Sequence, residues 1–167
     1  MRELIGATDR VEVSLGRGAA PEDNVKMTGR VAVELRGPDG ELKDSRQVDN
    51  LVVTAGKNHI ADQLSSSPGG SAMSHMAVGT GTGSPAAGDT ALGTEIDRNA
   101  LTSRTDATNV VTYVGNWAAG DATNSAIAEA GIFNASSSGT MLARATFTAI
   151  NKGASDTLTI TWTVTVG

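Results

Sequence analysis

The stretch that most limits what this chain can fold into is DTLTITWTVTVG, residues 156–167. Leu158, Ile160, Trp162, Val164 and Val166 alternate with Thr157, Thr159, Thr161, Thr163 and Thr165. A strict period of two places every apolar side chain on one side of an extended chain, the signature of a strand with one buried face. The threonine side is left either to solvent or to another subunit. RVAVELRG repeats the pattern, with Val31, Val33 and Leu35 set against Arg30, Glu34 and Arg36. PDGE follows as a turn and ELKDSRQVDN returns, so residues 27–50 read as a hairpin.

In NLVVTAGKNHIADQLSSSPGG, Leu51 to Val53 close a strand and Thr54 is placed to cap a helix over residues 55–65. Val53, Lys57, Ile60, Ala61 and Leu64 would share its face. SSSPGG ends it. Strands are expected near 73–79, 98–105, 109–118, 126–134, 140–150 and 156–166, with NASSSGT and NKGASD as the loops of successive hairpins. Trp117, Tyr113, Phe133, Phe147 and Trp162, all the aromatics in the chain, fall inside these strands and are expected in the core. The fold class is therefore all-β: an antiparallel β-sandwich or jelly roll with one short α-helix. Residues 26–167 form the single β domain. Residues 1–25 are either disordered or an extended N-terminal arm.

Charge is unevenly spread over the chain, whose net charge is -5. Residues 1–66 hold nine Lys/Arg and eleven Asp/Glu, and residues 67–167 only four and seven. A Gly/Ala/Ser/Thr/Val surface of this kind suits contact with neighbouring subunits, and the acidic balance argues against nucleic acid as a partner. With no cysteine, disulfide and thiolate chemistry are excluded. MRELIGATDR lacks the apolar core of a signal peptide, and no stretch is long enough to span a membrane.

MAVGTGTGSPAAGDTALGTEI, residues 76–96, has the look of a phosphate-binding loop. A Walker loop needs GxxxxGK[ST], and GTGTGS has no lysine. A dinucleotide fingerprint needs a third glycine, where Ser84 follows Gly79 and Gly81, and it needs a parallel βαβ unit. The loop is thus expected to be a structural connection that binds no cofactor. His59 and His75 show no ligand spacing for a metal, and Asp62, three residues after His59, reads as a helix-end partner. Among the acids Glu95, Asp97 and Glu129 no nucleophile–base–orienter set is apparent, so no catalytic residue is expected and the chain is not read as an enzyme. Asp97 beside Arg98 suggests a local ion pair or an interface contact.

VDNLVVTAGKNHIADQL, MAVGTGTGSPAAGDTALGTEIDR and EAGIFNASSSGTMLARATFTAINKGASDTLTITWTVTVG together resemble a class of small virion structural proteins of tailed bacteriophages. The shared features are NLVVTAG leading into a helix, VGTGT…DTAL…E…R, and EAGIF…GTMLAR…K…DTLTITW, over roughly residues 28–167. The EAGIF…GTMLAR stretch is also similar to N-terminal domains of some tail-collar and tail-fibre proteins. The resemblance implies a virion location and no phosphate in the glycine loop. It implies a subunit contact there, with the loop anchored by Asp89 as a turn or cap residue, Thr90, Leu92 as a buried apolar plug and Glu95, and with Arg98 as a further contact residue.

Two roles follow from this resemblance. One is a capsid decoration (cement) protein that binds and stabilises the major-capsid lattice. The other is a tail-fibre, collar or tail-adaptor protein involved in host attachment, with a head–tail connector as a third. A compact β domain whose extra length lies at its N-terminus suits a clamp, so decoration is the preferred expectation. Leu4, Ile5, Val11, Val13 and Leu15 of the arm would fill pockets or add a strand on a neighbour. The resemblance also implies a homo-oligomer, with a trimer as the expected form.

Overall fold

The structure is a computed structural model and describes residues 25–65 and 69–167. The arm residues Leu4, Ile5, Val11, Val13 and Leu15 lie outside the described residues. In chain order the elements are β1 (Met27–Arg36), β2 (Leu42–Asp49), β3 (Leu51–Val52), α1 (Thr54–Gln63), β4 (His75–Gly79), β5 (Glu95–Ala100), β6 (Ser103–Ala107), β7 (Val110–Trp117), β8 (Asn124–Phe133), β9 (Met141–Lys152) and β10 (Thr157–Val166). They form two five-stranded sheets. Sheet I has the order β2-β1-β10-β7-β6 and sheet II the order β3-β9-β8-β4-β5. Every pairing is antiparallel. The all-β sandwich expected from the alternating runs is the fold.

The alternation explains the layers. In β10 the apolar set Leu158, Ile160, Trp162 and Val164 is buried, and β1 pairs Val31 with Trp162 and Val33 with Ile160 in register. This apolar face of sheet I packs on Met76, Val78, Ile127 and Ile132 of sheet II in one cluster. All five aromatics are buried, and Trp117 and Trp162 are completely so. The Trp162 indole N–H donates to Asn50 Oδ1 at 3.0 Å, which satisfies its one polar atom.

Several local expectations are corrected. The hairpin over 27–50 is present, but residues 98–105 are not one strand. The chain leaves sheet II after Ala100 and enters sheet I at Ser103. Leu101 N–H donates to Ser74 O at 2.9 Å and Thr102 N–H to Val114 O at 2.7 Å, so each half of that crossing is held by a different sheet. NASSSGT does join a hairpin, β8 to β9, but NKGASD does not. β9 lies in sheet II and β10 in sheet I, so residues 153–156 form an arch between the sheets. A turn at Gly153–Asp156 and the Asp156 carboxylate, which accepts Gly153 N–H at 2.9 Å, shape that arch.

The helix spans Thr54–Gln63, and Val53, not Thr54, is its N-cap residue, with no side-chain cap. Thr54 N–H donates instead to Ala87 O at 2.8 Å. The helix turns Gly56 and His59 inward; of the predicted face, Val53 is buried and Ile60 packs on the core, while Lys57, Ala61 and Leu64 are exposed. Gly56 is the point of closest approach to the sheet. A Cβ there would stand 2.1 Å from the carbonyl oxygen of Leu142, so only glycine lets the helix backbone rest on β9.

Candidate functional site

The long connection between β4 and β5 lies over the outer face of sheet II. Leu92 is buried there with Val53, Ala77, Phe133 and Met141 in a second, smaller apolar cluster, as a plug should be. What fixes the loop is a charge. Glu129 sits in the middle of β8 within AIAEAGIF and is fully buried. Its Oε1 accepts the N–H groups of Gly81 and Thr94, both at 2.8 Å. Its Oε2 accepts Gly93 N–H at 2.9 Å and two N–H groups of Arg144, Nε at 2.9 Å and Nη2 at 2.7 Å.

The two charged residues belong on one face by register. β8 and β9 pair Gly131 with Arg144 and Glu129 with Thr146, so Glu129 and Arg144 project from the outer side of neighbouring rungs. Arg144 reaches onward with Nη1 to Asp89 Oδ2 at 2.9 Å. Asp89 also closes its own turn: its Oδ2 accepts Ala86 N–H at 2.9 Å and its N–H donates to Ala86 O at 3.0 Å. The turn role expected of Asp89 is therefore present, and the ion pair with Arg144 is added to it.

Glycine is required where the loop crosses the carboxylate. A Cβ on Gly79 would stand 2.3 Å from Thr94 O and 2.6 Å from Glu129 Oε1, and one on Gly81 2.4 Å from the same oxygen. The resemblance of GTGTGS to an anion-binding loop therefore has a physical basis. One of its N–H groups, that of Gly81, joins those of Gly93 and Thr94 from the far end of the connection in binding an anion, the chain's own Glu129. Burial pushes the Glu129 carboxyl up, but the donors from Thr94, Gly93, Arg144 and Gly81 outweigh it and hold the group below its ordinary value. Asp89 is lowered by Ala86 N–H and by Arg144. Burial lowers the Arg144 guanidinium, while Asp89 and Glu129 more than restore it, so it lies above its ordinary value. All three groups are charged at neutral pH.

Glu95 and Arg98 form a second clamp. Arg98 donates Nε and Nη2 to the two carboxylate oxygens of Glu95 at 2.9 and 2.6 Å, and Nη1 to Ala135 O and Ser138 O at 3.0 and 2.9 Å. Its guanidinium lies 3.6 Å from the centroid of the Phe133 ring. The ion pair is thus with Glu95 and not with Asp97, whose Oδ1 accepts Arg98 N–H. Arg98 is fully engaged inside the molecule, tying edge strand β5 to the β8–β9 turn. Asp89, Leu92, Glu95 and Arg98 are brought to one face of sheet II, yet each makes its contacts within the chain.

The histidines stand apart. His59 is buried on the inner side of α1, and the Asp62 carboxylate accepts N–H groups of Gly69 and Gly70 at 2.9 and 3.1 Å. His75 Nδ1 lies 2.8 Å from Ser74 Oγ. Among the described residues no group of three His, Asp or Glu is placed to hold a metal ion, and no helix is long and apolar enough to cross a membrane.

Sequence reasoning did not identify Arg144 and treated Glu129 only as an isolated acid. A signal was available: AIAEAGIF and MLARATF each carry one charge inside an otherwise apolar strand. A buried charge needs a partner, and two adjacent strands with one opposite charge each supply it. A further buried cation, Lys152, was also not anticipated. It is completely enclosed and donates from Nζ to Ala118 O at 2.9 Å, with its pKa lowered by burial.

No protein family, curated protein or solved structure matches this chain.

Proposed function

We propose that this protein is a structural component of a tailed-bacteriophage virion that acts as a capsid decoration protein, binding and stabilising the major-capsid lattice. One observation carries the reading. The stretches that resemble phage virion proteins, DTAL, EAGIF and GTMLAR, supply Asp89, Glu129 and Arg144, which meet in one buried ion-paired clamp. The residues behind the resemblance are thus those that make a long surface loop rigid. A rigid plate loses little conformational entropy on docking, which suits a part that works by contact. Its task in this reading is to hold other subunits together, without catalysis and without a cofactor. The tail-fibre, collar or tail-adaptor role is the alternative, and the two differ in place and number.

The deciding experiment adds the purified full-length chain to phage particles that lack it and counts bound copies by quantitative mass spectrometry and electron cryomicroscopy. Decoration predicts saturation at hundreds of copies on the capsid shell. Copies confined to the tail or neck, about a dozen per particle as symmetric closed rings there supply, would replace decoration with the alternative. No binding to any virion part would overturn both.

A further inference from the structure

The two outer faces of the sandwich are unlike each other. The outer face of sheet II is covered by the clamped loop, whereas the outer face of sheet I carries no other element of the described residues. We propose that this bare face of sheet I is a self-association surface, on which a second copy of the chain packs sheet to sheet about a twofold axis.

The register defines the face. The outward positions of β10 are all threonine, from Thr157 to Thr165. Beside them β7 turns out Val110, Thr112, Val114 and Asn116. β6 adds Ser103, Thr105 and Ala107. No outward position on these three strands is charged, although the chain's net charge is -5. Charge appears only toward β1 and β2, where it cancels: Arg30 pairs with Asp49 at 3.6 Å and Glu34 with Arg36 at 2.8 Å. Two acidic copies repel over most of their surface, so a neutral face is where a like molecule can approach. Because that face offers paired donors and acceptors, it is also complementary to itself.

Size and stiffness point the same way. The strands β2, β1, β10, β7 and β6 hold 8, 10, 10, 8 and 5 residues. At about 3.3 Å per residue and about 4.8 Å per strand, the face covers roughly 650 Å². Two such faces bury on the order of 1,300 Å², inside the range of specific interfaces. Threonine and valine are β-branched, short and restricted at χ1, so closing the contact immobilises little that was free. A face packed on its own copy about a twofold axis is isologous and closes at two, so the assembly is a dimer and not the trimer implied by the resemblance. This inference does not depend on the virion reading.

Sedimentation equilibrium of the full chain over a wide concentration range tests it, with Thr161→Glu at the centre of the face and Asn58→Glu on the exposed side of α1 as the control. The expected result is a monomer–dimer equilibrium in wild type and in Asn58→Glu. In Thr161→Glu, two like charges meet across the axis and weaken dimerisation by about 100-fold or more. If circular dichroism shows that Thr161→Glu has not folded, Thr163→Lys makes the same test with the opposite sign of charge. A wild-type monomer at millimolar concentration, a trimer, or a dimer that a folded face variant leaves unchanged would each overturn the proposal.

Discussion

At the scale of single residues, the Glu129–Arg144 contact decides most. Removing one member of a buried, hydrogen-bonded pair leaves the other charge without compensation and typically costs about 3–5 kcal/mol. Arg144→Met is therefore expected to destabilise the protein by that amount in urea unfolding, and a change below about 1 kcal/mol would mean that water reaches Glu129. The carboxyls of Glu129 and Asp89 lie below their ordinary values of 4.5 and 3.8. A carboxyl depressed in the fold contributes stability that is complete above its unfolded pKa and is lost as pH falls through its folded pKa. Unfolding free energy is thus expected to decline from about pH 5 downward, and less steeply in Glu129→Gln. An equal slope in that variant would remove Glu129 from the account. At this scale the sequence was legible in part. Leu92 and Asp89 are where an apolar plug and a turn acid belong. The partner of Arg98 was not legible, because β5 carries an irregularity that pairs Val78 with Asp97 but Gly79 with Glu95. The extra residue, Ile96, turns Glu95 onto the face of Arg98, and a bulge of this kind leaves no mark in a period-two pattern.

At the scale of elements, periodicity located most of the strands and turn residues did not say what they join. NASSSGT and NKGASD both read as turn-forming loops, yet one closes a hairpin and the other an arch. The difference lies in which neighbour offers free backbone groups, and that depends on the whole sheet. The strand runs themselves were readable because burial of one face enforces alternation. Trp162 tests that burial: Trp162→Ala is expected to cost about 3–5 kcal/mol in the same unfolding experiment. The orientation of α1 was misread for a related reason. Apolar spacing selected Val53, Lys57, Ile60, Ala61 and Leu64, of which only Val53 and Ile60 face the core, whereas close approach to β9 selected Gly56. Alanine is the better helix former by about 1 kcal/mol, so Gly56→Ala would stabilise a free helix. Against the Leu142 carbonyl it is expected to lower stability by about 1–3 kcal/mol through overpacking, visible as a lower melting temperature.

At the scale of the molecule, residues 25–65 and 69–167 carry the two five-stranded sheets and the two apolar clusters. The chain enters the sandwich beside Gly167. Lys26 N–H donates to Gly167 O at 2.6 Å and Gly167 N–H to Lys26 O at 2.8 Å. Residues 1–24 lie outside the described residues. Those residues carry Leu4, Ile5, Val11, Val13 and Leu15 among nearly balanced charges, too few apolar side chains for a core but enough for contacts with a neighbour. If the protein is a clamp on a lattice, many weak arm contacts made at once raise its avidity without strong individual sites. Deleting residues 1–24 is then expected to leave the melting temperature of the β domain nearly unchanged while loading onto particles falls by about 100-fold, the lower end of what linked binding supplies. Equal loading by the truncated and full-length chains would assign the lattice contact to the sandwich alone and end the clamp reading. A large drop in melting temperature would instead make the first 24 residues part of the fold.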